Sequence, residues 1–245
     1  MIYLCFEQEA VQSVIDRKFG CDCIRNIIEL YLLAYGTAFD FAQFYIQKNP
    51  DNNSETAIIL RYNQTVYLVS DCSCDVAEIS DFLGGFNDVT LIFDVALNFR
   101  KPDKICAVMS KNGSIYNVQN SNVILYNEPK IVSDLVCKNM SEQERTDFYL
   151  NTSHQIRHNL LSVYAYVLNS EPVSVASVFI NNDFAVIPFV YTGEYFRGNG
   201  YSKSVLDAVC RDSQVTYQLL CEEHNIKFYE KCGFIQVCSW MKYSL

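Results

Sequence analysis

The sequence is poor in residues that loosen a chain. It holds five prolines and nine glycines among 245 residues, and no stretch has the composition of a flexible linker. Basic residues are also short: 19 Lys and Arg against 28 Asp and Glu give a formal net charge of −9. A surface of that sign repels a phosphate backbone and argues against nucleic acid as a partner. The three histidines, His154, His158 and His224, lie far in sequence from the C-x-C pairs Cys21/Cys23 and Cys72/Cys74, so the spacing of a zinc site is missing and no metal is expected. His154 and His158 stand four apart on one helix face without visible further ligands and read as solvated. No apolar run is long enough for a bilayer: the most apolar one, 27–35, is short and contains Glu29, so no membrane association is expected. The first residues lack the basic segment of a signal peptide. These absences point to a cytoplasmic protein whose eleven cysteines are reduced and serve as small apolar residues.

What is present is core. Half the residues are hydrophobic, with 17 Tyr and 16 Phe but a single Trp, enough to fill one large domain or two small ones. Helices are expected over 8–18 and 22–34, the second with Ile24, Ile27, Ile28, Tyr31 and Leu32 on one face, and a further helix over 40–48. Asn49-Pro50-Asp51-Asn52-Asn53 reads as a turn. Strands over 56–60 and 65–69 suggest a hairpin, followed by a helix over 75–83 closed by Gly84-Gly85 and a strand over 89–93. The first half thus reads α-α-α-β-β-α-β. Residues 96–120 show the least periodicity, and a domain boundary is placed near residue 112, giving domains 1–112 and 113–245. In the second half a strand is expected over 122–126. Ser141 and Glu144 form a capping-box pattern at the head of a helix reaching about Arg157. Strands over 161–168, 173–180 and 184–192 make an antiparallel meander. A helix over 200–211, a strand over 216–221, a helix over 225–231 and a strand over 234–241 complete it. The fold class is α/β with a mixed sheet.

One segment carries chemistry. A strand ending at Thr192 runs into Arg197-Gly198-Asn199-Gly200-Tyr201-Ser202 and then a helix with Val205, Leu206 and Val209 on one side. Glycines let backbone approach a ligand closely. A helix start presents unpaired N–H groups at the positive end of its dipole, which suits phosphate oxygens. No G-K-[ST] follows, so this is not a Walker A loop, and the dinucleotide pattern G-x-G-x-x-G is also missing. By composition alone, an ordinary Gly-containing turn remains open.

The surrounding residues resemble the GNAT acyltransferase superfamily. Its acyl-CoA motif [RQ]-x-x-G-x-[GA] reads here Arg197-x-x-Gly200-x-Ser202, with Ser in the place of Gly or Ala. Val190-Tyr191-Thr192 and Phe196-Arg197-Gly198 look like the glycine N-acyltransferase-like branch, though Gly193 and Glu194 stand where that branch has prolines. Downstream come Asn225 and then Tyr229 before Gly233-Phe234. The resemblance covers roughly 115–245 and implies a GNAT fold there, acetyl-CoA as co-substrate and transfer to the amine of a small molecule by direct attack. It implies that Val190 and Thr192 pair with the pantetheine arm. The amides of Gly198, Asn199, Gly200, Tyr201 and Ser202, beside Arg197, would hold the pyrophosphate, and Asn225 would touch the arm from the other side. Tyr229 would protonate the leaving thiolate, a transfer allowed by pKa values of about 8.5 for a thiol and about 10 for a phenol. No covalent enzyme intermediate is needed, although Cys221 and Cys232 lie close in sequence. For the general base, Glu222, Glu223 and Glu194 are candidates, and strand alternation sends Glu222 and Glu223 to opposite faces; Glu222 is favoured. The alternative is an inactive acyl-CoA-binding sensor or scaffold, and a third reading places the acceptor on a peptide N-terminus. The first half carries no such motif and is expected to be a smaller α/β domain, a degenerate copy of the same fold. A monomer or homodimer is expected.

Overall fold

The structure, a computed structural model, describes residues 1–94, 100–114 and 121–244. Part of the weakly periodic stretch 96–120 therefore lies outside the described residues. In chain order the elements are β1 (Ile2–Cys5), α1 (Gln8–Asp16), α2 (Asp22–Tyr35), β2 (Ala42–Lys48), β3 (Glu55–Tyr62), β4 (Thr65–Ser70), α3 (Val76–Leu83), β5 (Thr90–Phe93) and β6 (Lys104–Asn112). They continue with β7 (Val123–Leu125), α4 (Pro129–Val136), α5 (Glu142–Arg157), β8 (Ser162–Leu168), β9 (Glu171–Asn181), β10 (Phe184–Val186), β11 (Val190–Thr192), α6 (Tyr201–Val209), β12 (Thr216–Cys221), α7 (Ile226–Lys231) and β13 (Ile235–Ser244). Two compact units result: 1–109 with 220–226 and 236–245, and 110–219 with 227–235.

In the first unit the strands run in the order β1-β2-β3-β4-β5-β13. β4 and β5 are parallel and the other ladders antiparallel, so the sheet is mixed. Ile59, Leu68, Ile79, Leu83, Leu91, Phe93 and Tyr243 share one buried cluster, which fastens α3 to the sheet. Where a helix was expected over 40–48, residues 42–48 form a strand. Ala42, Phe44 and Ile46 are buried with a period of two, and the backbone pairs with β1 and β3. Aromatic and β-branched residues suit that half-buried pleat, and tertiary pairing outweighs local propensity. β6 arises where no period is visible because Cys106–Ser110 is buried without interruption, and a continuous buried run carries no alternation. With β1 added, the observed order is β-α-α-β-β-β-α-β. Gly84 does end α3, but with φ −59° rather than in the left-handed region.

The second unit orders its strands β12-β10-β9-β8-β7, with β11 also on β9. β8, β9 and β10 form the antiparallel meander, and β10 lies parallel to β12. Ser141 Oγ accepts from Glu144 N and the Glu144 carboxylate accepts from Ser141 N, closing the capping box at the head of α5. α4 stands ahead of it, unforeseen, with Pro129 at its first turn, where a missing N–H costs nothing. Val205, Leu206 and Val209 are buried on α6.

Candidate acyl-CoA site

The expected strand 184–192 is interrupted, and the interruption builds the site. β10 pairs in parallel with β12 as far as Val186↔Gln218, and Ile187 N donates to Gln218 O at 2.9 Å. Pro188 follows and has no N–H for a ladder. Phe189 then returns to β9: its carbonyl accepts from Ser177 N at 3.0 Å, and its N–H donates to Ser177 Oγ at 3.3 Å. From there β11 stays with β9, Val190 opposite Ala176 and Thr192 opposite Ser174, and among the described residues it makes no pairing with β12. The strand pair has parted.

The turn after β11 is held from within. A 3₁₀ turn spans Glu194–Phe196. Arg197 Nε donates to Thr192 O at 3.3 Å, and its guanidinium lies 5.9 Å from the Tyr191 ring centre. Asn199 Nδ2 donates to the carbonyls of Phe196 and Arg197. Gly198 and Gly200 take φ +82° and +79°, and a Cβ built on either would meet no atom within 4 Å. Space is therefore not why glycine stands there. The left-handed backbone is the reason, which costs other residues roughly 1–2 kcal/mol. Gly200 caps α6, whose first-turn amides have no intrahelical acceptors and lie at an exposed, open corner.

Ser202, the departure from the family motif, has a local role. Its hydroxyl is hydrogen-bonded to that of Thr192, which also meets Ser174 Oγ at 2.7 Å. Three hydroxyls thus join β9, β11 and the first turn of α6. Sequence reading missed Ser174 and Ser177, although two serines, both fully buried, inside the apolar run Val173–Phe179 were the available signal. Tyr201 packs its ring 4.4 Å from that of Tyr166 on β8.

Tyr229 belongs to the same unit. It sits on α7, half-buried, with its ring 5.0 Å from Phe228 and 5.8 Å from Phe234. The chain folds back at once: Phe234 N donates to Tyr229 O at 3.0 Å, through Gly233 at φ +85°. A further unforeseen residue connects this helix to α6. Lys111 Nζ donates to Cys232 O at 2.9 Å, pairs with Asp207 at 3.3 Å, and lies 5.7 Å from the Phe234 ring centre. Burial raises the Cys232 thiol, and it pushes Cys221 up to about 11. Both stay protonated and make poor nucleophiles.

Asn225 and Glu222 fall in the other compact unit. Asn225 is exposed and ends a 3₁₀ turn, its N–H donating to Glu222 O at 2.9 Å. The Glu222 carboxylate is 2.7 Å from Lys104 Nζ and 3.5 Å from Lys242 Nζ. The hydrogen bond from Lys104 is the main reason its pKa is held below the usual carboxylate range. An acid so stabilised as its anion is a weak proton acceptor.

Residues 129–234 match the acetyltransferase (GNAT) family. Among curated proteins none matches this chain in sequence. The fold of the whole chain is similar to that of a tandem GNAT protein from the clavulanic acid biosynthesis pathway, with TM-score 0.60 and 12% identity, covering 100% of this chain and 98% of that one. A GCN5-related N-acetyltransferase from Sphaerobacter thermophilus gives TM-score 0.59 at 11% identity over 99% of this chain and 94% of its own. A Drosophila protein gives 0.64 at 12% identity over 98% and 97%. At these identities the likeness concerns fold, and it extends over both units.

Proposed function

We propose that the protein is an acyl-CoA-dependent N-acyltransferase that uses acetyl-CoA and acetylates the amine of a small molecule. The observation that carries this reading is the parted strand pair leading into a left-handed glycine turn at the start of α6. Amides and a helix dipole at Gly198–Ser202 suit a pyrophosphate, with Arg197 beside them, and the backbone of Val190 and Thr192, which faces away from β9 and does not pair with β12 among the described residues, suits an amide-bearing arm. The neutral acceptor nitrogen attacks the thioester carbon, the carbon–sulfur bond breaks, Tyr229 gives its proton to the departing sulfur, and the nitrogen loses one proton to water, from which the Tyr229 phenolate is reprotonated. Glu222 is released from the base role, because its lysine partners oppose protonation.

That release favours a second reading, an acyl-CoA-binding protein without turnover. Free-thiol release from acetyl-CoA over a panel of small amines separates the two. Amine-dependent, saturable release is expected, and saturable CoA binding with no release over any amine would sink the enzyme reading for that panel.

A further inference from the structure

The first unit contains a cysteine pair that sequence spacing hides. Cys21 and Cys238 are 217 positions apart, and their sulfurs stand 3.9 Å from each other. Both are free thiols, Cys21 buried and Cys238 exposed on β13. A bonded pair stands at about 2.05 Å, so the sulfurs must close by roughly half their separation.

The partners are unequal in exposure, and the backbone at Cys21 is held in place. Cys21 is the N-cap residue of α2, and its N–H donates to Asp94 Oδ2 at 2.9 Å. Gly20 before it holds φ +69°, and a Cβ there would collide with Asp94 and press on Ser70 O. The backbone at Cys21 is thus fixed from two sides, with its sulfur aimed at the surface strand. The hydrogen bond from Cys21 holds the Cys238 thiol below its ordinary value, while Cys21 and Cys23 are raised, Cys23 by burial. The exposed sulfur is therefore the readier thiolate and the buried one its protonated neighbour, the arrangement of an attacking and a resolving thiol.

We propose that Cys238 and Cys21 form a peroxide-responsive thiol pair that closes reversibly to a disulfide. The Cys238 thiolate attacks one oxygen of hydrogen peroxide, giving a sulfenic acid and hydroxide. Cys21 sulfur then attacks the Cys238 sulfur, the S–O bond breaks, and the hydroxyl leaves as water with the Cys21 proton. Two thiols lose two electrons and two protons, and peroxide becomes two waters. A dithiol reductant reverses the step. The bond pins the last strand to the head of α2.

The test is peptide mapping of the full chain after treatment with hydrogen peroxide, without reduction. Tryptic peptides 19–25 and 232–242 each carry two cysteines, so fragmentation between Cys21 and Cys23 and between Cys232 and Cys238 must locate the bond. A Cys21–Cys238 crosslink lacking two hydrogens is expected, persisting in Cys23→Ser and Cys72→Ser and lost in Cys238→Ser and Cys21→Ser. Oxidised protein should melt higher by roughly 5–10 °C and return on reduction. A crosslink that instead uses Cys23 or joins two chains, or Cys238 oxidised with no bond to Cys21, would overturn the proposal.

Discussion

Each unit has a point at which a strand leads into a helix beside a parallel neighbour, and the two points are built in opposite ways. In the second unit, β11 leaves β12, and an eight-residue link, 193–200, opens α6 on left-handed glycines. In the first, β4 keeps β5 through Leu68↔Phe93. Asp94 then staples the strand ends, accepting from Cys21 N at 2.9 Å and lying 3.5 Å from Ser70 Oγ. The link 71–75 is Asp-Cys-Ser-Cys-Asp. Asp75 Oδ1 accepts from Glu78 N at 3.0 Å, filling the head of α3, and Asp71 binds Ser73. An anion-attracting helix start in one unit is occupied by the chain's own carboxylate in the other. Shared element order therefore says nothing about shared binding, because the site depends on who satisfies the helix amides.

The contrast breaks first at the glycine turn. Gly200→Glu places a carboxylate where a pyrophosphate is proposed, and like charges at contact cost several kcal/mol, so CoA affinity should fall at least about a hundredfold by calorimetry. The wild type should bind one CoA per chain. If the variant kept one full-affinity site, the first unit would be the binder. The next largest effect is expected of Tyr229→Phe. Loss of a positioned proton donor costs about 10²-fold or more, read as a fall in kcat with CoA affinity retained. Unchanged kcat would remove Tyr229 from the assigned role.

Much of this contrast was legible in the sequence on one side only. The helix at 201–209 and the strands and helix after it follow from periodicity and caps, and the turn from its glycines. The parting of β10 and β11 was hidden because 184–190 is apolar without alternation, and Pro188 alone marked the break. Lys111 and Asp207, 96 residues apart, meet only through tertiary structure. The first unit was misread at 42–48, where Phe44 and Ile46 point inward with a period of two that neighbouring aromatics mask. Its closed end was unreadable, since Asp94, Ser70 and Cys21 are scattered residues with no motif.

A smaller effect tests the staple. Burial raises Asp94 from its ordinary 3.8 to about 6. The native state then holds the proton more tightly than the unfolded chain, so this group's contribution to stability is fullest below pH 3.8 and declines as pH rises toward 6. The difference of the two values, roughly two units, corresponds to about 3 kcal/mol. Asp94→Asn should flatten that slope in urea titrations between pH 4 and 6. Equal slopes in both proteins would place Asp94 outside this role.

The smallest effect is expected at Glu222, whose electrostatics run opposite to those of Asp94. Asp94 is buried and pushed up, whereas Glu222 is partly exposed and held down by Lys104 and Lys242. The sign is therefore reversed: its stabilising contribution is present above the ordinary carboxylate range and is lost as pH falls through it. Partly exposed pairs of this kind contribute at most about 1 kcal/mol. Glu222→Gln should accordingly leave kcat within about threefold and leave the acidic limb of the pH–rate profile in place. A hundredfold fall in kcat together with loss of that limb would return the base to Glu222, and would mean that its two lysines let go when the acceptor binds.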